Sequence, residues 1–231
     1  MPRGRRTRRS VRHPRRRAPP IPDPDVIKAV RRSGTAVLQS VTSVDEARQA
    51  AEAGADGLIV QGAAAGGHSA TLTPGRPLDD VPLPELVANV RRSTALPLLA
   101  AGGIATPADV TAALRAGAGA TMVGTLLLRT DESGASLPHK EALADPAFDT
   151  TVLPRAFTGR PARALRNHFA DRYDSVAPAR YPAVHHLTAP LRKAATAAGD
   201  TRLIHLWVGT GYRQAREEGT AQTLQRLAAQ L

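Results

Sequence analysis

ADGLIVQGAAAGGHSA, residues Ala55 to Ala70, is the stretch that decides the fold, because a short apolar run there ends in a glycine-rich loop. The apolar run predicts a buried strand. Gly62, Gly66 and Gly67 allow the backbone to approach a ligand closely or to adopt a positive φ. His68 is the only side chain of this loop suited to proton transfer, and an imidazole pKa near ~6.5 suits a general base. The alternative is that the glycines merely turn the chain and His68 is a solvated loop residue.

Apolar runs and helical patterns alternate on both sides of this stretch. Strands are predicted at residues 35–41, 57–60, 96–101 and 120–123, and helices at residues 26–32, 44–53, 83–92 and 107–116. Ser43 followed by Glu46 predicts a capping box, and Gly54 and Gly117 are placed to end helices. The pattern therefore consists of successive βα units.

The order of these units predicts an α/β fold with a parallel sheet covered by helices. A barrel or a doubly wound sheet would both accommodate the pattern. Polar and glycine residues follow the carboxyl end of every predicted strand, which is where a TIM barrel keeps its active site. We therefore predict a TIM-barrel-like sheet, a partial barrel of about four βα units within residues 25–130.

The regular alternation stops after residue 130. Helices are predicted at residues 138–143, 161–169, 186–198 and 220–231, giving a C-terminal helical region, residues 131–231, that packs on the barrel. Arg160, Arg163 and Arg166 fall in the first turns of the second of these helices. A solvated basic helix is the favoured interpretation, and an anion site at the helix start is the alternative.

Two loops in the barrel have the composition of a phosphate site. Residues 96–104 end in Gly102 and Gly103, and residues 120–125 end in Gly124 and Thr125. Small residues expose backbone N–H groups that bind a phosphate dianion, and paired loops late in a TIM barrel commonly do so. The chain has no GxGxxG that opens a helix after the first strand, so a dinucleotide fingerprint is not predicted.

Composition restricts the other classes of function. The chain has no cysteine, which excludes disulfides, thiolate metal sites and cysteine nucleophiles. No apolar run approaches the ~18 residues of a membrane span, and a cytoplasmic protein is expected. His185, His186 and His205 lack the spacing and carboxylate partners of metal ligands, so no metal is predicted.

The formal net charge of +11 is concentrated at the start of the chain. Residues 1–17 hold nine arginines and no acidic residue, which leaves 22 basic and 20 acidic residues elsewhere. Residues 1–24 are predicted to be a disordered arginine- and proline-rich tail that binds phosphate backbones weakly, and specific nucleic-acid binding is not expected. An upstream start codon or a replaced reading frame is a simpler origin for the tail.

Three motifs in order give the sequence a family resemblance. VQGAAAGGH, LLAAGGI and MVGT resemble segments of the FMN-dependent nitronate monooxygenases, and the resemblance runs from about residue 26 to the C-terminus. FTGRPARALRN and LWVGTGY, residues 206–212, also resemble family segments. FMN-dependent enoyl-acyl-carrier-protein reductases are similar over the same motifs.

The resemblance implies a TIM barrel with FMN bound across its carboxyl end, acting on a small nitro compound or nitronate with oxygen. Gln61 and Gly66 would lie near the isoalloxazine ring, and His68 would be the base that removes the proton next to the nitro group. The residues implied around the phosphate are Gly102, Gly103, Met122, Val123, Gly124 and Thr125. Deprotonation by a neutral imidazole beside an electron-accepting ring is chemically coherent.

The sequence departs from the family in two places. The resemblance leads us to expect about four further strands before residue 35, where this sequence has the arginine-rich tail, and to expect a polar or acidic residue at Ala64. Four strands alone would leave an open apolar edge, compatible with association into a homo-oligomer. A non-catalytic remnant that keeps a phosphate-binding half-barrel is therefore the second hypothesis.

Overall fold

The computed structural model describes residues 21–230, and most of the predicted disordered tail lies outside these residues. The strands are β1 (Leu38–Val41), β2 (Gly57–Gln61), β3 (Gly67–His68), β4 (Leu98–Ala101), β5 (Ala120–Met122), β6 (Thr151–Val152) and β7 (Ala162–Leu165). The helices are α1 (Pro24–Arg32), α2 (Val44–Glu52), α3 (Leu83–Ser93), α4 (Pro107–Arg115), α5 (Leu137–Ala144), α6 (His168–Tyr173), α7 (Ala183–Ala197) and α8 (Thr220–Leu227).

Four strands form one parallel sheet in the order β1-β2-β4-β5. Strands that follow one another among the βα units are neighbours in the sheet, and helices α2, α3 and α4 connect them. A doubly wound sheet reverses its strand order at a switch point, whereas a barrel adds each strand beside the preceding one. The sequential order confirms the predicted TIM-barrel-like arc of four strands.

Local signals set the helix ends. The Ser43 hydroxyl accepts a hydrogen bond from the Glu46 N–H at 3.2 Å, which caps α2. Thr106 and Asp109 form a reciprocal capping box at the start of α4. Gly54 and Gly117 follow helices with φ of 95° and 107°, which are left-handed values that favour glycine. The two glycine ends agree with the sequence because each depends on neighbouring residues alone. The predicted capping box of α2 is only half formed, because the Glu46 carboxylate accepts from the Thr42 N–H and not from the Ser43 N–H.

The region after residue 130 is not all helical. The helix predicted at residues 161–169 is wrong in its first half, where β7 pairs antiparallel with β3 and β6. Arginine, alanine and leucine favour helices, but the ladder to a distant segment overrides that preference here. The result is a small antiparallel sheet at the carboxyl end of the parallel strands, with His68 in its β3 edge.

Alternate residues of the central strands are buried in the core. Leu58, Val60, Leu98 and Ala100 belong to a cluster that includes apolar residues of α2, α3 and α4. The edge strands are less covered than the central strands, since Leu38 of β1 is 49% exposed and Met122 of β5 is 43% exposed. Among the described residues, no helix has the length and apolar character needed to cross a bilayer.

Candidate functional site

A cavity of about 200 Å³ lies where the carboxyl ends of β2, β4 and β5 meet, and we call it the cradle. All eight sequence-predicted cofactor residues line it: Gln61, Gly66, Gly102, Gly103, Met122, Val123, Gly124 and Thr125. The remaining lining residues are Ala65, Ala101, Ile104, Gly209 and Gly211. Parallel strands bring their carboxyl ends to one edge, so residues far apart in sequence meet there.

The backbone geometry of the cradle would suit an anion. Gly102 and Gly103 have φ of 98° and 77°, and a Cβ on Gly102 would meet the Ala65 Cβ at 2.7 Å. A Cβ on Gly124 would meet no atom within 4 Å. Within residues 21–230, the N–H groups of Gly103 and Gly124 donate no hydrogen bond to another residue. Such free donors are what a phosphate group needs.

The segment from Leu206 to Tyr212 closes one side of the cradle. The Gly209 N–H donates to Thr125 Oγ1 at 2.9 Å, and the Thr210 N–H donates to the Ala64 carbonyl at 3.1 Å. A Cβ on Gly66 would lie 2.5 Å from the Gly209 nitrogen, so the two backbones touch. This segment therefore joins the loop after β2 to the loop after β5, and it uses the Thr125 hydroxyl as an acceptor.

Gln61 supports the loop that carries His68. Its amide Nε2 donates to the His68 carbonyl at 3.2 Å, and its Oε1 accepts from the Ala70 N–H at 2.7 Å. The Gln61 side chain thus holds the backbone on both sides of Ser69. Its amide is already engaged within the protein even though the residue borders the cradle.

His68 lies at the same rim as the cradle, two residues after Gly66, but it does not line that cavity. Its Nε2 lies 2.9 Å from Thr158 Oγ1, and its ring lies 5.4 Å from the Tyr181 ring and 5.6 Å from the Trp207 ring. Burial, and after it the positive charge of Arg160, lowers the pKa of His68 to about 4. The imidazole is therefore neutral at pH 7, and it is a weaker base than the imidazole with the ordinary pKa of 6.5 that the sequence leads us to expect.

Arg160 and Glu46 fix the segment that follows His68 from opposite sides. The buried Arg160 guanidinium donates to the carbonyls of Ser69 and Thr71 at 2.9 Å and 2.6 Å. The Glu46 carboxylate accepts from the N–H groups of Thr42 and Leu72, both at 2.6 Å. Arg160 is thus neither solvated nor at a helix start, and Glu46 completes no capping box with Ser43.

A buried arginine, Arg192, contacts two histidines next to the aromatic cluster around His68. Arg192 is 6% exposed, and its guanidinium contacts His205 Nε2 at 3.1 Å and His185 Nδ1 at 3.3 Å. Burial lowers the pKa of His205 to about 4, with Arg192 as the next cause. Within the described part of the chain, no group of three or more His, Cys, Asp or Glu side chains has the arrangement of a metal site.

The chain matches a protein-family model over nearly its whole length. The family model described as nitronate monooxygenase matches residues 18–229. The chain belongs to the nitronate monooxygenase family. A curated relative named probable nitronate monooxygenase, from Staphylococcus aureus strain Newman, is 35% identical over 199 residues, which cover 84% of this chain and 56% of that protein.

Solved structures agree with the nitronate monooxygenase assignment. A nitroalkane oxidase from Streptomyces ansochromogenes is 49% identical, with a TM-score of 0.85 over 91% of this chain and 61% of that chain. FabK from Thermotoga maritima is 28% identical, with a TM-score of 0.73 over 89% of this chain and 64% of that chain. The chain thus spans a little over half the length of the nitronate monooxygenase relative from Staphylococcus aureus.

Several residues of this candidate site are not predicted from the sequence. Gly209 and Gly211 line the cradle. The sequence analysis identifies the segment that contains them, LWVGTGY, as similar to the family but assigns it no role in the site. Their dense glycine pattern was the available signal. Thr158, in a loop, and Arg192, on helix α7, carry no sequence signal, since each acquires its contacts with histidines only in the folded chain.

Proposed function

We propose that this chain carries the cofactor cradle and the base of an enzyme that oxidises nitronates or nitroalkanes with oxygen, with FMN as cofactor. The observation that supports it most is the convergence of all eight expected cofactor residues on one cavity beside the His68 loop. The family assignment supports the class of chemistry. Because the chain spans 56% of its curated relative, the activity of the whole enzyme is part of the proposal.

The residues of the cradle fit the phosphate end of FMN. Among the described residues, the N–H groups of Gly103 and Gly124 have no hydrogen-bond partner, and a Cβ on Gly124 would meet no atom within 4 Å. These two glycines would hold the phosphate, with Val123 and Thr125 beside them, while Gln61 and Gly66 would border the ring. FMN, when bound, supplies an acceptor for the substrate's electrons and reactivity toward oxygen.

The hydrogen bonds of Thr158 indicate which nitrogen of His68 would act as the base. We assign the one proton of the Thr158 hydroxyl to the Arg160 carbonyl, 3.2 Å away, so that the hydroxyl oxygen would accept from Nε2–H of His68, 2.9 Å away. Nδ1 then carries the free lone pair and would take the proton next to the nitro group. A nitronate has already lost this proton, so its oxidation would not need the base.

Flavin binding is tested by Gly124→Ala. The added methyl group meets no protein atom, and the φ of Gly124 is −135°, so the fold should tolerate alanine. We expect the Kd for FMN, measured by fluorescence quenching, to rise about tenfold or more, because the methyl group occupies the space proposed for the phosphate. Gly75→Ala is the matched control, since a Cβ there also meets nothing within 4 Å.

The cradle assignment is wrong if Gly124→Ala binds FMN as the wild type does. It also fails if the wild-type chain binds FMN no better than riboflavin, which lacks the phosphate. Thermal unfolding curves of both variants should match the wild type, which separates a local effect on binding from loss of the fold.

The base is tested by His68→Asn in the flavin-loaded protein. Oxygen uptake with a neutral nitroalkane should fall about 100-fold or more, whereas uptake with the corresponding nitronate should change far less. His168→Asn, at an exposed position on α6, is the control. Equal losses on both substrates would remove His68 from the role of base.

Two alternatives remain distinct from this proposal. A non-catalytic remnant would bind phosphate in the cradle without flavin-dependent oxygen uptake. The exposure of Leu38 and Met122 on the edge strands is the observation that favours this alternative. An FMN-dependent enoyl-acyl-carrier-protein reductase would instead consume a reduced nicotinamide cofactor in the presence of an enoyl thioester. The same purified protein distinguishes them, because the remnant consumes no reagent, the reductase consumes reduced nicotinamide, and the proposed enzyme consumes oxygen.

A further inference from the structure

A second cavity with strongly basic walls lies apart from the cradle. It has a volume of about 380 Å³ and is enclosed by the segment before α3 and by residues on either side of β6 and β7. Its lining consists of Ala63, Arg76, Pro77, Leu78, Asp80, Leu153, Arg155, Pro161 and Arg163. We call it the arginine cavity.

The charges of the arginine cavity are poorly balanced. Three arginines and one carboxylate, Asp80, line it. Within residues 21–230, none of these arginines forms an ion pair within 4.0 Å. The guanidinium groups therefore have capacity for a ligand, since each has five N–H donors and no acceptor.

Arg163 is the most constrained of the three. Its Nε donates to the Ala63 carbonyl at 2.8 Å and its Nη1 donates to Thr151 Oγ1 at 2.9 Å. These bonds hold the guanidinium in place, while Nη2 donates no hydrogen bond within the described chain. Burial lowers the pKa of Arg163, and the charge of Asp80 opposes this effect. An anion would offset the cost of burying this charge.

A third cavity, of about 250 Å³, adjoins the arginine cavity and indicates how an elongated ligand would be oriented. The two share Ala63, Leu78 and Leu153, so their apolar walls are continuous. Asp45 and Asp79 line the third cavity, and no arginine or lysine does. An anionic group would be repelled there and attracted to the arginines, while an apolar body could lie along the shared leucines.

We propose that the arginine cavity binds a small amphipathic organic anion whose carboxylate or phosphate group contacts Arg76, Arg155 and Arg163 and whose short apolar body lies along Leu78 and Leu153. Arg163 supplies the fixed end of the site. Arg76 and Arg155 have no side-chain hydrogen bonds within the described residues, so they are free to close on the anion. The proposal does not depend on flavin or on turnover.

The test is isothermal titration calorimetry of the flavin-free chain with three probes of equal chain length: hexanoate, hexyl phosphate and hexan-1-ol. We expect at least one anion to bind and the neutral alcohol to bind much more weakly. Comparison of the two anions distinguishes a carboxylate ligand from a phosphate ligand. Binding should also weaken as salt is raised, because the contact is between charges.

The variant Arg76→Gln/Arg155→Gln should weaken binding of the preferred anion about tenfold or more. The control Arg115→Gln/Arg216→Gln removes the same charge from exposed positions that do not line the cavity, and it should bind as the wild type does. Equal affinity for anion and alcohol, equal weakening in both double variants, or no anion binding in the millimolar range would each overturn the proposal. FMN titration of the same samples reports separately on the cradle.

Discussion

Thr158 is a single side chain on which the position of His68 depends. It is completely buried, and its hydroxyl bonds both His68 Nε2 and the Arg160 carbonyl. Thr158→Val keeps the shape but removes these bonds, so we expect the free energy of unfolding, measured by urea denaturation, to fall by about 1–3 kcal/mol. Thr111→Val is the matched control, because Thr111 Oγ1 is buried with no hydrogen-bond partner among the described residues. Its stability should stay equal or rise, and equal losses in both variants would contradict this account.

His68 and His205 should also make the free energy of unfolding depend on pH. Burial lowers the pKa of each imidazole to about 4. The unfolded chain, with ordinary histidine pKa values near ~6.5, therefore binds more protons than the folded chain between these two values. The free energy of unfolding should fall as the pH is lowered from about 6.5 toward about 4, by about 1 kcal/mol for each histidine after allowance for partial solvent exposure. Urea denaturation across this range checks it, and His68→Asn/His205→Asn should flatten the profile.

At the scale of elements, Glu46 ties helix α2 to the segment after His68. Its two carboxylate oxygens accept from the N–H groups of Thr42 and Leu72 and from the hydroxyls of Thr42 and Thr71. Glu46→Gln replaces one acceptor by an NH₂ group that faces donors, so we expect the free energy of unfolding to fall by about 2–3 kcal/mol. Glu52→Gln, exposed on the same helix, should change it by less than about 0.5 kcal/mol. Similar effects of the two substitutions in thermal or urea unfolding would show that Glu46 is not an anchor.

Some elements of the fold are predictable from the sequence, and others are not. β2, α2 and α4 were predictable because apolar periodicity and capping residues act locally, at Ser43, Thr106 and Gly117 for example. The cradle was predictable because glycine-rich segments recur after parallel strands. β7 was not, since Ala162 to Leu165 favours a helix until it pairs with β3 almost a hundred residues earlier. The prediction that Arg160 lies on a solvated helix is wrong for the same reason. Its guanidinium donates to the carbonyls of Ser69 and Thr71, which are distant in sequence.

At the scale of the whole molecule, the four-stranded sheet and the region after residue 130 share one core. The main cluster contains Val60 and Leu98 of the sheet together with Leu143, Leu206 and Leu227. The sequence predicted two segments, 25–130 and 131–231, and a shared core means that neither buries its apolar surface without the other. Elements that bury their apolar surface against one another are expected to unfold in one transition. The two predicted segments are therefore successive parts of the sequence, and we do not expect either one to fold stably without the other.

The single tryptophan makes this cooperativity measurable. Trp207 lies in the C-terminal region and packs on Phe157 with ring centroids 5.6 Å apart, while far-UV circular dichroism reports on all helices. We expect both signals to follow one urea transition. Leu206→Ala, at a fully buried position, should shift both curves together by about 2–5 kcal/mol, and Leu187→Ala, 79% exposed on α7, should shift neither by more than about 0.5 kcal/mol. Fluorescence and dichroism curves that separate, in the wild type or in Leu206→Ala, would show that the region after residue 130 unfolds independently of the sheet.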